Sequence, residues 1–164
     1  MFTKEVIQLM AALNPRPIIF PLSNPVRLSE CTFEDAMVHS NGRAIFASGS
    51  PFDPIGSREP HGQANNFLVF PGIGLGAILA KAAHVTDSMI EACSLGLAQS
   101  LTLDERAADL IYPRLMRVRQ VTADIAVSVI RAAQKAGVDR NVALRSMDDD
   151  HLHTWVESKM WSPA

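Results

Sequence analysis

Residues 62–83 read GQANNFLVFPGIGLGAILAKAA, and how this stretch is taken decides the fold. Two adjacent amides, Asn65 and Asn66, lead into an apolar run and a Pro71-Gly72 break; glycines at 72, 74 and 76 then open an Ala/Leu/Ile helix. Side-chain amides are costly to bury unless each donor and acceptor finds a partner. Beside a helix entry, whose unpaired N–H groups attract anions, the pair points to a site for an acidic or polar ligand. The glycines admit two readings. Residues 72–77 fit G-x-G-x-x-A, a dinucleotide fingerprint, with Phe67 to Phe70 as its strand. Against that, Pro71 interrupts the strand-to-turn junction, and the acids that follow, Asp87 and Glu91, lie in a helical pattern instead of ending a second strand. In the other reading the glycines let this helix pack closely on a neighbour.

Upstream, residues 3–13 place Val6, Leu9, Met10 and Leu13 at helical spacing, with Thr3 as the cap and Asn14-Pro15-Arg16-Pro17 as the stop. Ile18-Ile19-Phe20-Pro21-Leu22 predicts a short strand buried on both faces, as in a parallel sheet, with Pro21 marking its end or a bulge. That strand empties into Ser23-Asn24-Pro25. Ligands in open α/β sheets sit outside the carboxyl ends of strands, which favours Asn24 as a binding group; an Asn-Pro turn in which the amide bonds its own backbone is the alternative. Thr32 and Asp35 form a capping-box pattern for a helix to about His39, which Asn41-Gly42 would end. Ala44-Ile45-Phe46-Ala47 predicts a second strand, completing a βαβ unit. Residues 51–62 are a Pro/Gly-rich connection, and a loop of that length in a compact domain is often functional.

Downstream the pattern turns helical. Helices are predicted over Thr86 to Leu101, from the Thr102 capping box to the Tyr112-Pro113 break, and over 114–136. In the last of these Leu115, Val118, Ile125, Val129 and Ala133 make the apolar stripe, with Arg114, Arg117, Arg131 and Lys135 largely off it. Gly137 is a natural stop. Asp148-Asp149-Asp150 opens a final helix that Trp155 and Trp161 could dock. The expectation is an α/β first half with a parallel sheet, to about residue 85, and closing helices over about 86–164.

The bulk numbers narrow the function. A hydrophobic share of 48% and a charged share of 20% suit one domain, or part of a larger one, with a sizeable core. A formal charge of −2 gives no basic footprint for nucleic acid and no polybasic membrane patch. No apolar run approaches the roughly 20 residues of a membrane span, and no leader peptide is evident at the amino end. Cys31 and Cys93 stand apart without a paired framework, as a reducing compartment would tolerate. The expectation is a soluble intracellular protein, cytoplasmic or in an organelle such as a mitochondrion or plastid.

The candidate site residues are amides: Asn24, Asn65 and Asn66. Neutral amides bind carboxylate, hydroxyl and carboxamide groups without bringing a competing charge. Arg58, His61 and Lys81 are charges near them in sequence, which a solvated face explains equally well. Asp148, Asp149, Asp150, His151 and His153 could be a metal cluster, but an acidic helix start is explained by the helix dipole, and His-x-His diverges on a helix. No Ser/His/Asp or Cys/His arrangement has recognisable spacing. The chain offers binding groups without an acid/base pair.

Successive blocks of the chain resemble the malic enzymes: LSNP at 22–25, ECTFEDA at 30–36, GRAIFASGSPFDP at 42–54, GQANN at 62–66, FPGIGLG at 70–76 and LIYPRLMRVRQVTADIAVSVI at 110–130. FTKEVIQLMAALNPRPIIF fits the segment before the first block, and WVESKMWSP is similar to the end of plant-type and related long forms. The resemblance implies part of a Rossmann-like parallel sheet flanked by helices, from the C-terminal portion of the NAD(P)-binding domain. It implies oxidative decarboxylation of L-malate to pyruvate and carbon dioxide with NAD or NADP and a divalent metal, Mg²⁺ or Mn²⁺. Asn24, Asn65 and Asn66 would contact malate; Ser23, Asn24 and Asn66 would face the cofactor, with the Ser48-Gly49-Ser50 turn shaping its cleft. FPGIGLG would not be the pyrophosphate fingerprint. That motif, the catalytic tyrosine and lysine and the acidic metal ligands would lie before residue 1, and Tyr112 would not be the catalytic tyrosine. The chain alone would then be inactive, part of a homo-oligomer in the full-length enzyme. The alternative is an inactive truncated homologue serving as a dinucleotide-binding or protein-interaction module.

Overall fold

Thr3 stops the extended N-terminus by accepting the Val6 N–H on its hydroxyl, and α1 (Lys4–Leu13) follows. Ile7 and Ala11 form its buried stripe. After Pro15 and Pro17 comes β1 (Ile18–Ile19). A full capping box on Thr32 and Asp35 starts α2 (Phe33–His39), which gives way to Asn41 and Gly42, both at positive φ (55° and 71°). Then comes β2 (Ile45–Phe46). The two strands pair in parallel, Ile18 opposite Ile45 and Ile19 opposite Phe46, so β1, α2 and β2 make the expected βαβ unit. The chain is described here from a computed structural model over residues 1–162; Pro163, the last residue of the tail block, lies outside the described residues.

Helices α1 and α2 cover one face of this small sheet. Ile7, Ile19, Phe33, Ala36, Met37 and Phe46 form a single cluster, with the Phe33 and Phe46 rings 5.1 Å apart. The opposite face is not covered within this unit: Ile18 is 57% exposed. The expectation of a strand buried on both faces is corrected to one buried on a single face. Arg43 joins the layers, donating to Ala11 O (2.7 Å), Pro15 O (3.0 Å) and Asn14 O (3.2 Å). It thereby satisfies carbonyls that the end of α1 leaves open.

Two further segments extend the sheet. His61 N donates to Phe46 O and Ala64 N to Ser48 O, both at 2.9 Å, and Ser48 and Gln63 form a parallel bridge. Residues 61–64 therefore run as a third parallel ribbon beside β2. The capped helix before the Tyr112-Pro113 break, Leu103–Ala107, keeps the Thr102–Glu105 capping box. Beyond it Ile111 N donates to His61 O at 2.8 Å. Residues 1–65 with 102–112 form one compact unit, and 66–101 with the described residues from 113 onward form another.

The second unit is helical. A single 3₁₀ turn at Asn66–Leu68 leads into α3 (Phe70–Ala80). The strand that the fingerprint reading requires over 67–70 is absent. Pro71 falls in the first helical turn, where its missing N–H has no intrahelical partner to lose, so Pro-Gly opens the helix instead of preceding it. Lys81 at φ 50° ends it. Thr86 caps α4 (Asp87–Gln99). With Leu103–Ala107 counted as α5, the long α6 (Val118–Lys135) follows, and then α7 (Asp149–Lys159), capped by Asp148.

Helix α6 is the axis of this unit. Val121, Ile125, Ala126, Val129, Ile130 and Ala133 are fully buried on it, and α3, α4 and α7 pack around it. Two expectations change here, those for Leu115 and Trp161. Leu115 sits in a 3₁₀ turn before the helix and is 50% exposed, so it is not part of the core stripe. Arg131 is half-buried and ties α7 in place, donating to Asp149 Oδ1 (2.7 Å) and Met147 O (2.6 Å). Trp155 packs against the core, but Trp161 is 78% exposed, held to α6 through its main-chain O, which accepts from Arg119 at 3.1 Å, and not by burial of its ring. No helix among the described residues is long and apolar enough to cross a membrane.

Candidate functional site

Three parallel segments lie side by side in the first unit, and each is followed by polar residues. β1 runs into Ser23-Asn24, β2 into Ser48-Gly49-Ser50, and the 61–64 ribbon into Asn65. All three connections therefore leave the sheet at its carboxyl end, where α/β sheets bind ligands.

Their approach is close. Gly49 N donates to Pro21 O at 3.1 Å, and a Cβ at residue 49 would fall 2.3 Å from Leu22 O. Only glycine allows the two loops to touch like this. Ser50 Oγ donates to Asn24 Oδ1, while Ser48 Oγ donates to Ser50 O at 2.7 Å and holds the turn. Gln63 Nε2 and Asn65 Nδ2 both donate to Gly49 O, at 3.1 and 3.2 Å. The Ser-Gly-Ser turn is thus clasped from both sides by amides.

This fixes what each candidate offers. With Oδ1 occupied by Ser50, Asn24 is oriented so that its Nδ2, which makes no hydrogen bond among the described residues, is its available group. A neutral N–H donor of this kind suits a carboxylate or a carboxamide oxygen. Asn65 spends Nδ2 on the turn and acts as a brace. Ser23 donates its hydroxyl to Glu30 (2.8 Å), and its backbone N–H bonds the same carboxylate (3.2 Å); these bonds hold the Glu30 carboxyl below its ordinary range. Asn66 begins the second unit and is exposed. Sequence reasoning named the Ser48-Gly49-Ser50 turn but missed Glu30 and Gln63 as members of this cluster. Their signal was weak: an acid in a capping block, and a glutamine two residues before an asparagine pair.

The charges near the amides in sequence go elsewhere. Arg58 donates to Gly42 O at 3.1 Å, and Lys81 is the exposed cap of α3. His61 accepts the Phe46 N–H on Nδ1 at 3.0 Å, so its proton sits on Nε2, 3.2 Å from Asp109 Oδ2. Burial pushes its pKa down, against the opposing pull of Asp109. The folded chain thus resists a proton that the unfolded chain takes up near 6.5. The corresponding stability is present above that pH and is lost as pH falls below it. Urea unfolding of the first unit should show a lower midpoint at pH 5.5 than at 7.5, and His61→Gln should shrink that difference; an unchanged difference would remove His61 as its source.

The possible metal cluster does not assemble. Asp148 accepts the His151 N–H at 2.8 Å as a helix cap, and His151 pairs back to Asp148 at 2.7 Å. His153 turns to Asp124 at 2.9 Å. Among the described residues no group of three His, Cys, Asp or Glu side chains could hold a metal ion. Tyr112 lies beside Phe20, ring centres 6.4 Å apart, and burial raises its pKa.

A parallel βαβ sheet with amides gathered at its carboxyl end is the architecture of a dinucleotide-binding domain. The sequence model of the family described as "Malic enzyme, NAD binding domain" matches residues 1–134, and the chain belongs to that family. It is 46% identical to NADP-dependent malic enzyme 3 of Arabidopsis thaliana, over 99% of this chain and 28% of that protein. It is 44% identical to the NADP-dependent malic enzyme of Vitis vinifera, over 99% of this chain and 27% of that protein. Among solved structures, the malic enzyme of Pyrococcus horikoshii superposes with a TM-score of 0.72 at 31% identity, covering 94% of this chain and 31% of that one. That of Entamoeba histolytica gives 0.73 at 28% identity. The chain spans under a third of the length of these relatives.

Proposed function

We propose that this chain is the C-terminal portion of the NAD(P)-binding domain of a malic enzyme, contributing to the oxidative decarboxylation of L-malate to pyruvate and carbon dioxide. The observation that carries the reading is the Asn24 amide, oriented by Ser50 at the carboxyl end of a parallel sheet, in a chain of this family. Asn24 Nδ2 donates to a malate carboxylate oxygen and lies toward the nicotinamide end of the cofactor. Asn65 and Asn66 supply the second amide contact, Asn65 also bracing the turn. Ser23 and Asn66 face the cofactor, which the names of the plant relatives suggest is NADP. When bound, that cofactor supplies the hydride acceptor.

These residues bind and orient, and none is a proton donor or base. Holding substrate and cofactor in a reactive pose is itself a large part of catalysis. Acid/base chemistry would come from outside this chain, and no role toward Mg²⁺ or Mn²⁺ is assigned to the residues described, which form no ligand set for either.

Two measurements test the reading. The 164-residue chain, given L-malate, NADP⁺ and Mn²⁺, is expected to produce no NADPH. A hybrid in which this chain replaces the matching segment of the Arabidopsis enzyme is expected to turn over malate within about tenfold of the parent, or about 1.4 kcal/mol in the barrier. Turnover by the chain alone would refute its partial role. A hybrid that folds and binds NADP⁺ but leaves malate untouched would favour a dinucleotide-binding module.

A further inference from the structure

The first unit contains a second concave feature, at the other end of the strands. A cavity of about 590 Å³ is lined by residues that precede the parallel segments: Arg16 before β1, Arg43 before β2, and Arg58 before the 61–64 ribbon. Asp109, two residues before Ile111 joins that ribbon, closes one side. The amides come after the strands and these residues come before them, so the cavity is separate from the proposed malate site.

Its three arginines outnumber its two acids, Glu59 and Asp109. Arg16 pairs with Asp109 at 2.6 Å, and Asp109 also receives His61 at 3.2 Å. Arg43 bonds only backbone carbonyls. Arg58 bonds Gly42 O and the Met37 sulfur. Neither Arg43 nor Arg58 has a carboxylate partner among the described residues. Glu59, the other acid lining the cavity, has a contact of its own, and His61 is held neutral by the N–H bond on its Nδ1. Arg43 and Arg58, neither paired to a carboxylate among the described residues, therefore line one space together with Glu59 and Asp109. Guanidinium forks match the oxygens of phosphate in geometry and charge. The volume lies within the range of small-molecule pockets, roughly 300–1,000 Å³, and exceeds what a free phosphate needs. Met37 and neighbouring alanine carbons supply an apolar wall for the remainder of a ligand.

We propose that this cavity binds the phosphate group of a small phosphorylated molecule, with Arg58 as the principal donor and the part of the Arg43 guanidinium not bonded to the end of α1 in support. The test is side-chain NMR of the arginine Nε–H groups in the intact 164-residue chain, titrated at constant ionic strength with inorganic phosphate, glycerol phosphate or succinate. Saturable shifts at Arg43 and Arg58 are expected, with glycerol phosphate binding more tightly than phosphate and succinate more weakly. Arg58→Gln should weaken binding about tenfold, as loss of a charge-assisted contact does. Asp109→Asn should act in the opposite direction, tightening it by a few fold, and Asn24→Ala should leave the affinity for glycerol phosphate at this cavity unaltered. Absence of saturation, binding that survives Arg58→Gln unchanged, or binding lost in Asn24→Ala would each overturn the proposal. Succinate binding equal to glycerol phosphate would overturn its phosphate assignment. The opposite sign expected for Asp109→Asn keeps the test decisive if Arg58→Gln perturbs folding.

Discussion

Gly72→Val is expected to lower the stability of the helical unit by about 3 kcal/mol, the upper end of the usual overpacking range. A Cβ at residue 72 would lie 2.5 Å from Ile125 Cγ2 and 2.6 Å from Ile125 Cβ. These are branch-point atoms of a fully buried side chain on α6, not the end of a flexible one, so α3 and α6 must separate. Gly76 faces Val129 Cβ at 2.8 Å in the same way, one turn on. Gly74 is the control, since a Cβ there meets nothing within 4 Å. Valine is also a somewhat better helix former than glycine, so Gly74→Val should stay within about 0.5 kcal/mol of the parent. Urea unfolding followed by Trp155 fluorescence reads this unit, and with a typical slope of 1–3 kcal/mol/M the Gly72→Val midpoint should fall by about 1–3 M. The comparison separates the two meanings of the glycines. In a dinucleotide fingerprint, valine at 74 would block the pyrophosphate and spare the fold. As packing glycines, 72 and 76 are the sensitive positions and 74 is indifferent. Equal destabilisation by both variants would contradict the packing account.

The same stretch shows what local sequence does and does not reveal. Caps are legible because their physics lies within four residues: Thr3, Thr32 and Thr102 accept the N–H groups expected of them. The place of Asn24 after a parallel strand is legible for a related reason, since strand direction and loop position follow from the βαβ order. The start of α3 is not. Phe67 to Phe70 is apolar and partly β-branched, and Pro71 looks like a breaker; burial of Gly72 and Gly76 against α6 decides for helix, and that contact is about fifty residues away in sequence. The 61–64 ribbon is hidden because HGQA has no strand composition and gains its place only by bonding β2. The exposure of Ile18 and Trp161 is equally invisible, because each depends on which faces the surrounding elements cover. The Ser50–Asn24 bond spans 26 positions, and nothing in either residue's neighbourhood announces it.

That bond makes Asn24 the sharpest test of the proposed activity. In Asn24→Asp, one carboxylate oxygen can keep the Ser50 hydroxyl, so the loop contact between the ends of β1 and β2 is retained. The other oxygen replaces Nδ2. A donor becomes an acceptor, and a neutral group becomes an anion facing a dianionic substrate. Loss of a hydrogen bond to a charged group and gain of like-charge repulsion act together, each costing on the order of 1.5–3 kcal/mol. In the hybrid enzyme, kcat/KM for malate should therefore fall by at least about a hundredfold, or about 2.7 kcal/mol. Asn24→Ala removes the donor without adding charge and should lose only about ten- to thirtyfold. It also leaves the Ser50 hydroxyl without its acceptor, so its urea midpoint should fall slightly, whereas that of Asn24→Asp should not. The order of the two variants matters more than either magnitude. If alanine were the more damaging in turnover, Asn24 would be acting through the loop it braces. If aspartate is, the amide itself meets the negative charge of the substrate.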